Sequence, residues 1–239
     1  METMDYHEKD SREGNKPEEN NQEEDQHKED HQEKEQYEEK LRQALLPSFW
    51  LTQLLSLLLG GFLLWFFYLR QGYSWQDFFA WDSTWSIWCL STAVALFMMG
   101  LQILAWKVFS PDAFDDGGIN RLLLELPAKL LFPMFIIGAF SEELLIRGVI
   151  QTGLAGFLGP LYGILLTSLI FTGMHFRYLK KPLLMGAAFL ISVFLCLLYG
   201  LAGTLWATVY THFLYNFGAA LLAKKYYLPL LARDKKINS

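Results

Sequence analysis

An all-α fold is predicted for this chain: a polytopic membrane helix bundle of about six transmembrane helices behind a disordered N-terminal tail. Three observations predict it. From Pro47 onward the sequence runs in apolar stretches long enough to cross a bilayer, which takes about 20 helical residues. Short polar or Gly/Pro-containing breaks separate those stretches, and backbone in lipid must satisfy its own hydrogen bonds, which favours helices. The acids are also segregated: residues 1–40 hold sixteen of the 25 Asp and Glu residues with six bases, leaving nine acids and fourteen bases to the body. The formal charge of −5 therefore belongs to the tail.

Three regions follow, residues 1–42, 43–226 and 227–239. The first has almost no aliphatic residues and no periodic apolar face, so it cannot offset the entropy of ordering. His7, His27 and His31 read as members of this solvated charged tail. No secretory signal is expected, because one needs a basic start followed early by an apolar core. The C-terminal region is a short basic tail. Nothing in this charge distribution points to a nucleic acid partner, since the body's bases sit at the ends of apolar runs.

Within the central region the spans are placed near 47–69, 84–107, 122–151, 160–176, 182–200 and 204–223. Arg70, Gln71 and Gly72 end the first. The Trp- and Phe-rich stretch YSWQDFFAWDSTWSIW then suits the headgroup level. Ser110 to Gly118 form a polar turn. The third span is too long for a simple crossing and holds Pro127 and Pro133, so it is expected to begin at the interface and kink inward. Gly153, Gly156, Gly159 and Pro160 are expected to break it from the fourth. HFRYLKKP separates the fourth from the fifth, and Gly200, Gly203 and Thr204 mark the last turn. Cys89 and Cys196 read as small buried hydrophobes. Lys107, Arg121, Arg177, Lys180, Lys181 and the bases after the last span share one side, which the positive-inside tendency places in the cytoplasm together with both termini.

The polar residues inside these spans are few. Glu143 and Arg147 are four apart with the acid first, the favourable order for an ion pair on one helix face. Glu142 points about 100° away from Glu143 and is left without a local partner. That makes Glu142 the candidate for general-base work and Glu143 the candidate for structure. His175 ends the fourth span, four residues after Phe171. His212 and Asn216 project from one face of the last span, where Asn216 either donates to a developing oxyanion or holds His212 in one tautomer. Each cluster also has a purely structural reading, as a buried ion pair or as interhelical polar glue. Counted from the glycine-rich side, Glu142, His175 and His212 lie roughly 14–23 Å deep at the helical rise, a range compatible with one pocket.

EELLIR at Glu142–Arg147, FTGMH at Phe171–His175 and HFLYN at His212–Asn216 fit the patterns EExxxR, FxxxH and HxxxN. In this order on successive membrane helices they resemble the CAAX-protease and bacteriocin-processing family of intramembrane endopeptidases, also called the Abi family. The match covers roughly residues 120–223, and Gly148 and the GTLW that opens the last span fit it as well. The resemblance implies a protease in which Glu142 activates water. Glu143 and Arg147 would shape the site, His175 and His212 would orient the water or stabilise charge, and Asn216 would support the oxyanion. Zinc on His175, His212 and Glu142 is the alternative to a metal-free glutamate mechanism. There is no HExxH, and the reading leans to metal-free because asparagine is a poor zinc ligand and the glutamate is then free to act as base. The expected substrate is a membrane-embedded or membrane-associated peptide or protein, in a bacterial cell membrane. A non-catalytic immunity or scaffold member of the family is the alternative. A small proton-coupled transporter is a third reading, against which no repeat or matched pair of broken helices is found.

Overall fold

The computed structural model describes residues 16–81 and 84–229, and among them every regular element is helical. The chain divides into two units, Met1–Ala44 and Leu45–Ser239. Helix α1 runs Lys16–Phe67. Its first part is the sequence read as a tail; it has no apolar face, and contacts such as Gln43 to Glu39 at 3.0 Å are within the helix. An all-polar helix without a packed face is only marginally stable in water. Residues 1–15, with His7, lie outside the described residues, as do the side chains of His27 and His31.

The second unit holds the bundle. The stretch Glu35–Gln71 that contains its first apolar helix, helix α3 (Trp85–Val108) and helix α8 (Pro182–Ala202) are each long and apolar enough to cross a membrane. The chain is an integral membrane protein. Helix α2 (Gln76–Phe79) is a single turn in the aromatic stretch, where Trp75, Trp81 and Trp85 are exposed, as expected of residues at headgroup level. Cys89 lies on the exposed face of α3, whereas Cys196 is buried. The expectation of burial fails for Cys89 because an exposed apolar position in such a helix faces lipid.

The expected third span is several elements. Helix α4 (Ile119–Glu125) stops before Pro127, whose ring disfavours helix at Leu126. Helix α5 (Ala128–Glu143) carries Pro133 without a break and passes into a π-helical stretch, Leu144–Gln151. Helix α6 (Thr152–Leu158) continues the rod. Gly153 and Gly156 do not break it, contrary to expectation. Gly153 is there for space, since a Cβ would meet the Tyr68 hydroxyl at 2.8 Å. The break falls at Gly159, with φ +86, a conformation that favours glycine. Pro160 then opens α7 (Pro160–Met174) at its first turn.

Helix α9 (Leu205–Leu222) and a π-helical turn, Ala223–Tyr227, complete the bundle. Gly203 ends α8 in the left-handed region and Thr204 caps α9. Thr204 and Trp206 donate to the Ala80 and Phe79 carbonyls, so the opening of α9 is pinned to α2. Gly148 lies so close to Leu205 that an added Cβ would stand 3.2 Å from it, which lets α9 pack against the π-helical stretch. Helix α1 is held to α5 by a buried hydrogen bond from Ser141 to Gln53, and just past its end Tyr68 Oη donates to the Val149 carbonyl of the π-helical stretch at 2.7 Å. Lys224 donates to the Leu126 carbonyl left open at the α4–α5 break.

Candidate active site

The two glutamates part at the end of α5. Glu143 and Arg147 are both fully buried, and Arg147 Nη1 donates to Glu143 Oε1 at 2.9 Å. The turns that follow are π-helical; Thr152 Oγ1 reaches back five residues to the Arg147 carbonyl at 2.9 Å. Such widened turns recur at functional sites. Arg147 also donates through Nη2 to Ser192 Oγ at 3.0 Å and to the Ser192 carbonyl at 3.3 Å. Its Cζ lies 5.0 Å from the centre of the Phe171 ring, a cation–π contact. A charge this dry persists only when paired and hydrogen-bonded.

Glu143 has a second partner that sequence spacing did not disclose. Its Oε1 accepts from His212 Nδ1 at 2.7 Å. A carboxylate only accepts, so the proton sits on Nδ1. The tautomer of His212 is therefore fixed by Glu143 from α5 and not by Asn216 one turn along α9. His212 Nε2 then points to Glu142, whose Oε2 lies 3.9 Å away. That separation exceeds a direct hydrogen bond. The Glu142 side chain keeps 31% of its exposure, against 0% for Glu143.

His175 closes α7 with φ −88 and ψ 49, outside the helical region. Its Nδ1 donates to the Phe171 carbonyl at 2.8 Å, the four-residue spacing of the motif, which leaves Nε2 for another partner. The Phe171 ring stands 4.7 Å from the His175 ring and 6.4 Å from the His212 ring, so this residue sits between both histidines and Arg147.

Glu142, His175, His212 and Asn216 line one cavity of about 320 Å³, while Glu143 and Arg147 stand behind its wall. Phe135, Phe171, Ile191 and Tyr215 give it apolar sides. The cavity extends past Trp106, Phe114, Arg177 and Tyr227, which belong to the ends of α3 and α9 and the loops beside them. It thus reaches the basic-loop end of the bundle and not the glycine-rich end. Two contacts tie the loops there: Arg177 to Asp116 at 3.5 Å, and Lys181 to the Asp112 carbonyl at 3.0 Å.

The candidate zinc ligands do not form a ligand set as they stand. Among the described residues, no three His, Cys, Asp or Glu side chains come close enough to hold a metal ion. His175, His212 and Glu142 border the same cavity.

One comparison with known proteins falls on the region that carries these residues. A family model described as type II CAAX prenyl endopeptidase Rce1-like matches residues 124–218. The uncharacterized protein YpbD of Bacillus subtilis (strain 168) is 34% identical over 149 residues, which cover 61% of this chain and 71% of YpbD. No solved structure matches. With all three motifs inside the matched residues, the chain belongs to the type II CAAX prenyl endopeptidase Rce1-like family.

Proposed function

We propose that the protein is an intramembrane endopeptidase that hydrolyses a peptide bond of a membrane-associated protein or peptide, with Glu142 as the general base. The observation that carries this reading is the gap between Glu142 Oε2 and His212 Nε2, 3.9 Å, at the wall of a cavity that reaches one end of the bundle. A water lying off that line hydrogen-bonds both groups. Glu142 takes its proton as the oxygen attacks the scissile carbonyl, and returns it to the leaving amine. His175 Nε2 orients the water from the facing wall. Asn216 donates its amide N–H to the tetrahedral oxyanion. His212, its Nδ1 proton held by the Glu143 carboxylate, presents Nε2 as an acceptor that holds the same water beside Glu142.

The apolar walls suit a substrate segment presented from the bilayer. The basic residues at the open end support a cytoplasmic side for that end and for both termini, by the positive-inside tendency. A bacterial membrane protein or a bacteriocin-type peptide is the substrate class proposed.

The test is mapping of new protein N-termini in membranes of a bacterial host that expresses the wild type, Glu142→Ala or His175→Ala at equal levels. New termini in the wild type alone are expected. Undiminished cleavage by Glu142→Ala would sink the proposed mechanism. Wild-type biological activity in both variants, without cleavage by any, would instead make the protein a scaffold.

A further inference from the structure

Helix α8 supplies none of the seven motif residues, yet it carries a fully buried serine to the site. Ser192 is fully buried, and its Oγ and its carbonyl both accept from Arg147 Nη2, at 3.0 and 3.3 Å. Arg147 Nη1 donates to Glu143 Oε1 at 2.9 Å, and the same oxygen accepts from His212 Nδ1 at 2.7 Å. A guanidinium holds its donors in a rigid planar fork, so anchoring Nη2 fixes where Nη1 points. The Phe171 ring bounds one side of the guanidinium, 5.0 Å from Cζ. Such a face-on contact limits displacement without choosing a rotation.

We infer that Ser192 is a positioning residue for the site: it sets the angle of Arg147, and through Arg147 and Glu143 it sets the hydrogen bond that fixes the His212 tautomer. The inference rests on His212 acting as proposed above, but its geometry involves no substrate. The competing account is a packing hydroxyl that merely finds a partner. Ser168 on α7 supplies the comparison. It is equally buried and its Oγ lies 3.8 Å from Cys196 Sγ, the same sulfur that lies 4.0 Å from Ser192 Oγ. Its hydroxyl is directed to that sulfur and not to Arg147.

The experiment uses the full chain in detergent micelles without substrate, labelled with ¹⁵N-histidine. The imidazole proton of His212 Nδ1 is identified by its loss in His212→Gln. In Ser192→Ala that proton is expected to exchange with water ~10-fold faster, the scale of a hydrogen bond to a charged group, and to move toward the position of a free imidazole. Ser168→Ala should leave it unmoved, with a thermal midpoint similar to that of Ser192→Ala. An unmoved proton in Ser192→Ala overturns the inference, and so does an equal effect in Ser168→Ala. Where Ser192→Ala does not fold, Arg147→Lys reads the same coupling, since a lysine keeps the charge but loses the fork; a wild-type proton there overturns it. A chain without peptidase activity would still give the expected result. An active enzyme with an unmoved proton would refute the positioning role alone.

Discussion

Two adjacent glutamates separate cleanly in their surroundings, and so should their variants. Glu143 is fully buried and shares one oxygen between Arg147 and His212. Removing one partner of such a pair strands the other charge. Glu143→Ala is therefore expected to lose ~3–5 kcal/mol of stability, seen as a large drop in the thermal midpoint of the detergent-solubilised protein. Glu142 faces the cavity and is partly exposed. Glu142→Gln should keep the midpoint and lower the cleavage rate by ~10²–10⁴-fold; equal stability loss in both variants would contradict this division. Asn216→Ala should cost ~10²–10³-fold in kcat with little change in KM, read by steady-state kinetics on a cleaved peptide. The motif residues were legible because ionisable groups at membrane depth are costly and so stand out. Ser192 did not stand out. A serine within an apolar helix costs little and usually bonds its own backbone, as Thr172 does to the Ser168 carbonyl at 2.7 Å. The pairing of His212 with Glu143 was hidden for another reason: the two lie 69 residues apart, and no local spacing reports on that.

At the scale of elements, the glycines that matter are the ones with no room beside them. Helices α6 and α7 meet at Gly163, where a Cβ would come within 2.7 Å of the Ala155 backbone. Gly163→Val is expected to destabilise by ~1–3 kcal/mol or more, because the clash is with backbone that cannot swing aside. Gly173→Ala, with nothing within 4 Å of the added carbon, should be close to neutral. Thermal unfolding of the two variants side by side checks the pair, and a neutral Gly163→Val would mean that the two helices can separate at little cost. Sequence reading took Gly153 and Gly156 as a break because glycine disfavours helix in water. Inside a packed bundle the same residue is tolerated for close approach, as Tyr68 at Gly153 illustrates. The π-helical stretch was invisible for a related reason. It follows a continuous apolar run in which hydrophobic periodicity registers no change of pitch.

For the whole molecule, the charge count and the cavity converge on one end of the bundle. In a Cys89→Ser background, with Cys196 fully buried, Lys180→Cys should resist a membrane-impermeant maleimide in intact cells and react in inside-out vesicles. Phe157→Cys, strongly exposed at the glycine-rich end, should react in intact cells. The reverse pattern would turn the protein over and put the open end of the cavity outside. The succession of apolar rods was readable because lipid demands it, but the course of the cavity depends on how α3, α9 and their loops come together. The burial of Arg147 bears on synthesis as well. The chain makes this arginine before Ser192 and His212, whose helices complete the network around it. A nascent chain that stops short of Leu205 holds the Glu143–Arg147 pair without the partner from α9, so the rod that bears it has reason to linger at the interface or in the insertion machinery. The helix that completes the site is thus also the one that supplies the last partner of its costliest segment.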